Sequence, residues 1–390
     1  MLKTYSRKKK TDLKKVPSCV RPPVDDAEEK KHFQKVVNDF KSYRSHLAKK
    51  FSFNRQLVES LPERQQILLK SYKESLYEVE KCAEHNQGLI DLIIKDVFFM
   101  FENANAPMPC VIKTEEEEED EEETTVMGVE RVQTTLKQFV RDWSKEGASE
   151  RNACYQPIID EVIKNFPPEH CKPDEVKILV PGSGLGRLAF EIASRGYSCQ
   201  GNEFSLFMLI ASNFVLNKCN EKEMYSLYPW VHQVENNLTP QHQMQLIFFP
   251  DVIPSALLNP TSSNLTMAAG DFLEIYTTPE EWDCVATCFF IDCANNIVDF
   301  VEKIYQILKP GGVWINLGPL LYHYSNIPGE FSIEPAYSTI KEVITGVGFI
   351  MEKEATDLKT KYGQNPNSMF QYEYRSVFFV CRKVSMMETK

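Results

Sequence analysis

The feature that most constrains this chain is a buried strand that runs through three closely spaced glycines into a helix. Residues 176–180 read VKILV, residues 181–186 read PGSGLG, and residues 187–193 continue as an apolar helix. Gly182, Gly184 and Gly186 permit a tight turn at positive φ and a close approach of the backbone to a ligand. We therefore predict a strand-loop-helix unit that binds a nucleotide cofactor, although the motif alone also permits a plain structural turn.

A second strand follows and ends in a carboxylate. Residues 197–203 read YSCQGNE, which places Glu203 about 20 residues after Gly182, the usual spacing for an acid that binds ribose. In a βαβ unit the second strand lies beside the first, so Glu203 should face the cofactor and accept hydrogen bonds from ribose hydroxyls. Either NAD or S-adenosylmethionine satisfies this pattern.

Two later segments favour S-adenosylmethionine over NAD as the cofactor. Residues 268–272 read AAGDF, where Asp271 is suited to accept from an adenine amino group and Phe272 to stack on its ring. Residues 304–317 read IYQILKPGGVWINL, a helix, a stop and a buried strand, which resembles a junction of class I S-adenosylmethionine-dependent methyltransferases. The third glycine of the loop also comes one residue earlier than in a dinucleotide loop, which argues against a dehydrogenase.

Six stretches are similar to the carnosine N-methyltransferase family. They are 181–189 (PGSGLGRLA), 200–205 (QGNEFS), 228–230 (YPW), 248–252 (FFPDV), 288–292 (CFFID) and 316–323 (NLGPLLYH). The resemblance covers roughly residues 30 to 383, and it implies methyl transfer from S-adenosylmethionine to the π nitrogen of the imidazole in carnosine (β-alanyl-histidine), giving anserine. Pro181 stands where many methyltransferases carry an acid that contacts the methionine portion of the cofactor. We do not expect that contact here.

The pattern of strands and helices predicts an α/β fold, a doubly wound seven-stranded Rossmann-like sheet with an N-terminal helical region. We expect a basic disordered tail at 1–27, helices at 28–110 and an acidic loop at 111–127. In the predicted helices, the apolar spacing places Val36, Val37 and Phe40 on one face and Leu57, Ile67, Leu68 and Tyr72 on later ones. The methyltransferase domain should occupy 128–390, with an insertion at about 221–258. Two closing strands, near 349–352 and 372–381, should form an antiparallel edge.

The composition limits the classes of partner and the cellular location that we expect. Net charge is −11, but residues 115–123 alone carry nine acidic side chains, so the remainder is nearly balanced and a nucleic acid is not the expected partner. No apolar run is long enough to cross a membrane. We expect a cytoplasmic protein, also nuclear if the basic start is an import signal rather than a solvated tail. The N-terminal helices are a candidate homodimer contact.

Eleven cysteines, an odd number, predict reduced thiols rather than a disulfide framework. Cys284, Cys288 and Cys293 cluster around one strand, but their spacing contains no pair of Cys-x-x-Cys motifs. We therefore predict core packing and no metal.

A helix predicted over residues 131–143 places Gln138 and Arg141 three residues apart and thus on one face. From spacing alone this is a solvent-facing pair. The family resemblance implies instead that Arg141, with Gln138 beside it, binds the methionine carboxylate of the cofactor.

Asp292, His323 and Tyr374 are the candidate catalytic and substrate-binding residues. Asp292 closes a strand at the sheet edge where ligands bind, and a carboxylate there can select the imidazole tautomer and stabilise the imidazolium formed by methylation. The alternative for Asp292 is a helix N-cap. His323 and Tyr374 lie at neighbouring strand ends, and the resemblance implies substrate contacts for both, whereas a packed histidine and a core tyrosine are the alternatives.

Three classes of function remain open from the sequence. They are a small-molecule methyltransferase, a methyltransferase of protein or peptide histidines, and a catalytically silent interaction protein on the same fold. The intact glycine loop, Glu203 and Asp271 argue against the silent protein.

Overall fold

A computed structural model describes residues 26–97, 118–257 and 264–384. Nearly all of the basic tail predicted at 1–27 lies outside these ranges. The same holds for the predicted break at 103–109 and for the first part of the acidic segment.

The N-terminal part of the described chain is helical. Its helices are α1 (Asp26–Glu59), α2 (Glu63–Leu68), α3 (Lys70–Ile94), α4 (Glu118–Trp143), α5 (Ala148–Cys154) and α6 (Gln156–Asn165). Helix α1 packs against α3 and α4. Val36, Val37 and Phe40 are buried in this contact, as the helical spacing predicts.

Other apolar residues of this region are not buried. Leu57, Ile67, Leu68 and Tyr72 are exposed, although their spacing predicted an apolar face. Periodicity identifies such a face but not a partner to cover it, and the short helix α2 lies apart from the α1–α3 contact. The apolar surface of these helices therefore points outward in the single chain.

Helix α4 begins earlier than the sequence predicted. It starts at Glu118, so residues 118–127 are helical rather than part of an acidic loop. Glutamate has a high helix propensity, and negative charges near a helix N-terminus interact favourably with the helix dipole. These two effects favour helix over loop in the acidic segment.

Seven strands form the central sheet and two form a separate hairpin. The strands are β1 (Lys177–Pro181), β2 (Ser198–Glu203), β3 (Tyr225–Leu227), β4 (Ile247–Phe249), β5 (Leu265–Ala269), β6 (Trp282–Cys288), β7 (Leu308–Gly318), β8 (Phe349–Thr360) and β9 (Tyr374–Lys383). The sheet order is β5-β2-β1-β6-β7-β9-β8. Neighbours from β5 to β7 pair in parallel, whereas β9 pairs antiparallel with both β7 and β8. The predicted seven-stranded sheet with an antiparallel edge is confirmed.

Helices cover both faces of this sheet. The helices that follow β1 in the chain are α7 (Arg187–Ala193), α8 (Leu206–Lys218), α9 (Pro240–Gln243), α10 (Pro254–Leu257), α11 (Phe272–Ile275), α12 (Ile297–Ile307) and α13 (Tyr337–Val347). Side chains alternate between the faces. Ile178 and Val180 join one core with α6 and α7, whereas Leu179 joins a second core with α12. Central strands buried on both sides are typical of a doubly wound fold.

The hairpin of β3 and β4 lies between α8 and β5 in the chain and contacts α3 and α4. It therefore links the helical region to the sheet. Within the described ranges, every helix is too short or too polar to cross a bilayer. The nine cysteines in these ranges are free thiols.

Candidate functional site

The glycine loop between β1 and α7 has the conformation that its sequence predicts. Gly182, Gly184 and Gly186 all have positive φ, at 64°, 55° and 80°. A Cβ atom at Gly182 would lie 2.4 Å from the ring of Phe290, so this position also needs glycine for close packing. The loop thus exposes backbone rather than side chains at the carboxyl edge of the sheet.

Glu203 ends β2 beside this loop. Its Oε2 accepts from the Gly184 N–H at 2.9 Å, and its Oε1 accepts from the Phe204 and Ser205 N–H groups at 2.9 and 2.8 Å. Burial raises the pKa of Glu203, and the three N–H donors oppose that shift. The carboxylate is therefore fixed in place, and the remaining lone pair, on Oε2, can accept from one hydroxyl.

Asp271 and Phe272 follow β5 at the neighbouring strand end. Asp271 caps α11, because its Oδ1 accepts from the Leu273 N–H at 2.8 Å. The Phe272 ring is only 4 % exposed and packs against Phe290 and Phe300, with centroids 5.5 and 5.4 Å away. Aromatic clustering leaves little of this ring exposed, and its stacking on an adenine stays a prediction. An adenine contact by Asp271 stays a prediction.

Gln138 and Arg141 are buried, at 4 % exposure each, and are not a solvent-facing pair. They line one cavity together with Gly182 and Gly184. Arg141 donates to Asp142 Oδ1 at 3.0 Å and to the Tyr155 hydroxyl, while its buried Nε forms no hydrogen bond among the described residues and lies 3.9 Å from Glu150 Oε2. One guanidinium donor thus remains for an anion inside this cavity.

Sequence reasoning missed the aromatic residues that hold Arg141. Its guanidinium carbon lies 4.5 Å from the centroid of the Tyr362 ring and 4.8 Å from that of Tyr155. Tyr362 and Phe289 line the same cavity, and their ring centroids are 5.0 Å apart. No local pattern marks these residues, because they lie far from Arg141 in the chain.

A second missed feature is an ion-pair network below the cavity. Asp251, which follows β4, accepts from Arg151 at 2.7 Å and from Arg187 at 2.6 Å. Arg187 also donates to the backbone oxygen of Asp142 at 2.8 Å. Because Arg187 begins α7, this network ties the chain after the β3–β4 hairpin to the glycine loop.

Asp292 lies just after β6 and is 1 % exposed. Its Oδ2 accepts from the Leu321 N–H at 2.7 Å, whereas its Oδ1 is buried without a partner among the described residues. Burial raises the pKa of Asp292. The N-cap alternative is wrong, because Asn296 caps α12 by accepting from the Val298 N–H. A buried carboxylate oxygen without a donor is costly, which marks a place for an N–H from outside the chain.

His323 and Cys293 adjoin Asp292. The His323 backbone N–H donates to the Asp292 backbone oxygen at 3.1 Å, and His323 Nε2 lies 4.0 Å from Cys293 Sγ. The possible ligand atoms of Asp292, Cys293 and His323 all lie within 4.8 Å of one another, so this trio is a geometric candidate for a metal. Burial raises the pKa of the Cys293 thiol, which keeps it protonated and a poor ligand. The absence of a metal stays a prediction.

Aromatic rings connect this rim to the glycine-loop cavity. Tyr374 is the first residue of β9. The centroid of its ring lies 6.0 Å from that of Phe289, which lines the cavity. The sheet edge therefore brings together most of the residues singled out from the sequence. A backbone loop, an arginine and a fixed carboxylate lie on one side, and an unsatisfied carboxylate with a histidine and a tyrosine lies on the other.

Comparison with known proteins identifies this combination. Residues 118–385 match the family model described as carnosine N-methyltransferase. The chain is 48 % identical to a carnosine N-methyltransferase of Rattus norvegicus, over 93 % of this chain and 89 % of that protein. It is also similar to proteins of that name from Drosophila melanogaster (46 %, over 94 % and 82 %) and Schizosaccharomyces pombe (37 %, over 92 % and 97 %). The chain therefore belongs to the carnosine N-methyltransferase family, with a class I methyltransferase sheet.

Proposed function

We propose that this chain transfers a methyl group from S-adenosylmethionine to the π nitrogen of the imidazole in carnosine, giving anserine and S-adenosylhomocysteine. Its family and the names of its relatives support the substrate and the reaction. The observation that carries the site assignment is the buried, unpartnered Oδ1 of Asp292 at the carboxyl edge of the sheet.

The residues around the glycine loop fit the cofactor. The loop backbone leaves room for a ligand at close range, Glu203 would accept from a ribose hydroxyl, and Asp271 would accept from the amino group of the adenine, on whose ring Phe272 would stack. Arg141, through the Nε–H that forms no hydrogen bond among the described residues, and Gln138 would bind the methionine carboxylate. When bound, S-adenosylmethionine supplies an electrophilic methyl group, so the protein needs no redox chemistry.

Asp292 selects the reactive tautomer of the substrate. An imidazole has an ordinary pKa near 6.5, so most of it is neutral at pH 7 and carries one N–H and one lone pair. Asp292 Oδ1 accepts the N–H of the τ nitrogen, which leaves the π lone pair for attack. The ring becomes an imidazolium as the new N–C bond forms and the bond from the methyl group to sulfur breaks, and Asp292 stabilises that charge until the τ proton passes to Asp292 or to solvent.

His323 and Tyr374 position the same ring. Tyr374 supplies a hydroxyl and an aromatic wall, and His323 lies over the Asp292 backbone. Because the reaction is an in-line displacement, orientation of the lone pair supplies most of the acceleration.

The decisive experiment incubates the purified chain with a labelled methyl donor and either carnosine or free histidine. NMR of the product distinguishes the π from the τ isomer. We expect π-methylated carnosine and little product from histidine. Absence of methylated carnosine, or a τ-methyl product, would overturn the assignment.

We further propose that the chain acts in the cytoplasm and nucleus without a resident metal, and that its N-terminal helices form a homodimer contact. The exposed Leu57, Ile67, Leu68 and Tyr72 support the contact, because large apolar surface patches often mark protein interfaces. Light scattering of the chain and of a Leu68→Glu variant tests it, and a monomeric wild-type chain would refute it.

A further inference from the structure

The segment that follows β4 contains an acid, Asp251, which has no role in the mechanism proposed above. It belongs to residues 248–252 (FFPDV), one of the six stretches that are similar to the family. The side chain is 11 % exposed and does not line the glycine-loop cavity. Two buried arginines nevertheless connect this carboxylate to both walls of that cavity.

Arg151 of α5 connects Asp251 to the carboxyl end of α4. Its Nη2 donates to Asp251 Oδ2 at 2.7 Å, and its Nη1 donates to the backbone oxygens of Arg141 and Ser144 at 2.8 and 2.7 Å. The Asp251 N–H donates to the backbone oxygen of Trp143 at 2.8 Å. Carbonyl groups at a helix end lack partners within the helix, so these donors fix the end of α4, which carries the arginine of the cavity.

Arg187 connects the same carboxylate to the glycine loop, because it is the first residue of α7. Its two terminal nitrogens donate to both oxygens of Asp251, at 2.6 and 3.2 Å. One of them also donates to the backbone oxygen of Asp142 at 2.8 Å. Beside this contact, Trp143 Nε1 donates to the backbone oxygen of Leu185 in the loop at 3.1 Å. The end of α4 and the glycine loop are therefore joined around one carboxylate.

The charge of Asp251 keeps the two arginines together. Their side chains are only 5 and 9 % exposed. Burial and the charge of Arg187 lower the pKa of Arg151, and Asp251 opposes that shift. In Arg187 burial disfavours the charged form, but Asp251 and Glu191 raise the pKa above its ordinary value. Without the carboxylate, two buried guanidinium groups would repel each other and move the walls of the cavity apart.

We propose that Asp251 is a positioning residue for the cofactor. Through Arg151 and Arg187 it holds the carboxyl end of α4 at the separation from the glycine loop that S-adenosylmethionine requires. The inference rests on the proposed function and gives the chain after the β3–β4 hairpin a part in it. Arg141 lies on one wall and Gly184 on the other, so a shift of either wall weakens contacts that the cofactor makes together.

The test replaces Asp251 by Asn, which keeps the shape of the side chain and removes its charge. We expect the Kd of S-adenosylhomocysteine and the KM of S-adenosylmethionine to rise about tenfold, as for loss of a charge-assisted hydrogen bond. At saturating cofactor, kcat and the KM for carnosine should stay within about twofold of the wild type, because Asp251 contacts neither reactant. Calorimetry and steady-state kinetics measure these quantities.

Arg151→Gln is the second variant. It keeps Asp251 but removes the guanidinium that donates to the end of α4, so it should raise the same Kd by about the same factor. If Asp251→Asn does not fold, the Kd of Arg151→Gln decides the question in its place.

Glu161→Gln is the matched control. Glu161 of α6 is also a buried carboxylate with two cationic partners, Lys353 at 2.6 Å and Lys164 at 3.3 Å, and none of the three lines the cavity. This variant should lower Tm as Asp251→Asn does and leave cofactor affinity unchanged.

A lower Tm with an unchanged Kd in Asp251→Asn would overturn this inference alone, as would an equal rise of the Kd in Glu161→Gln. If the wild type binds no S-adenosylhomocysteine, the proposed function fails and this inference fails with it.

Discussion

Glu203 and Asp292 are two carboxylates at the same edge of the sheet, the first half-buried and the second buried, and the protein satisfies their hydrogen bonds differently. Both oxygens of Glu203 accept backbone N–H groups, three in total. Asp292 receives one N–H on Oδ2 and none on Oδ1 from the described residues. The carboxylate on the cofactor side is thus held by the fold itself, whereas the carboxylate on the substrate side keeps one oxygen without a donor.

This difference has an energetic meaning. Glu203 is held by the same strand end and glycine loop that any nucleotide-binding sheet must form. Asp292 keeps an unsatisfied oxygen in a buried place, a local destabilisation that is useful only if a ligand supplies the missing donor. Loss of Asp292 should therefore affect turnover more than folding, and loss of Glu203 should affect both.

The largest expected effect is on turnover. Asp292→Asn keeps the shape but places an amide where the substrate N–H must be accepted, so kcat on carnosine should fall by about 1,000-fold. Steady-state kinetics measures this, and calorimetry should show unchanged affinity for S-adenosylhomocysteine. Asp357→Asn is the control, since Asp357 is exposed on β8. A variant with full kcat would show that Asp292 does not select the tautomer.

The second-largest expected effect is on the affinity for the cofactor. Gly184→Leu should weaken S-adenosylhomocysteine binding by at least about 100-fold, because φ is +55° and the side chain would fill the cavity beside Arg141. Gly329→Leu is the matched control. Gly329 also has positive φ, and a Cβ there meets nothing within 4 Å. Normal cofactor binding by Gly184→Leu would refute the loop assignment.

The parts that the sequence predicted correctly depend on local patterns. The strand, the glycine loop and α7 are contiguous, and the ends of parallel strands meet at one edge, which brings Glu203 and Asp292 to the same rim. The antiparallel edge was predicted from two strand patterns, now β8 and β9, that follow the last parallel strand of the sheet in the chain. Each of these features can be read within a short window of the chain.

The parts that escaped prediction depend on contacts between distant segments. Nothing near Arg141 indicates that Tyr362 covers it, and nothing near Phe272 indicates that Phe290 and Phe300 bury its ring. Likewise, the spacing of Ile67 and Leu68 predicted an apolar face without showing that it is exposed. Tertiary packing decides these cases, and a single sequence does not encode it in a local pattern.

The third prediction concerns thermal stability. Replacing Asp292 and replacing Glu203 by the corresponding amides should change Tm in opposite directions. Burial raises the pKa of Asp292. Its contribution to stability is therefore fully present below the ordinary pKa near 3.9 and is lost as pH rises through the raised value. At neutral pH, Asp292→Asn should raise Tm by about 2 °C, and this gain should vanish in acid.

Glu203→Gln is the counterpart of that variant. Burial raises the pKa of Glu203 as well, but three backbone N–H groups donate to this carboxylate and oppose the shift. The amide group of the variant would face at least one of these donors, and this loss should outweigh the relief of burying a charge, so Tm should fall by about 2 °C. Scanning calorimetry at several pH values measures both changes. A fall of Tm in Asp292→Asn would mean that its unpartnered oxygen is satisfied in solution.

The smallest expected effect is that of metal removal. Asp292, Cys293 and His323 lie close enough to hold an ion, but the burial that raises the pKa of the Cys293 thiol disfavours the thiolate that a metal needs. Activity should therefore be unchanged after prolonged treatment with a chelator, and mass spectrometry should find no bound metal. Inactivation that zinc reverses would make this trio a metal centre. Asp292 would then be a ligand rather than the acceptor of the imidazole N–H, and its contrast with Glu203 would need a different explanation.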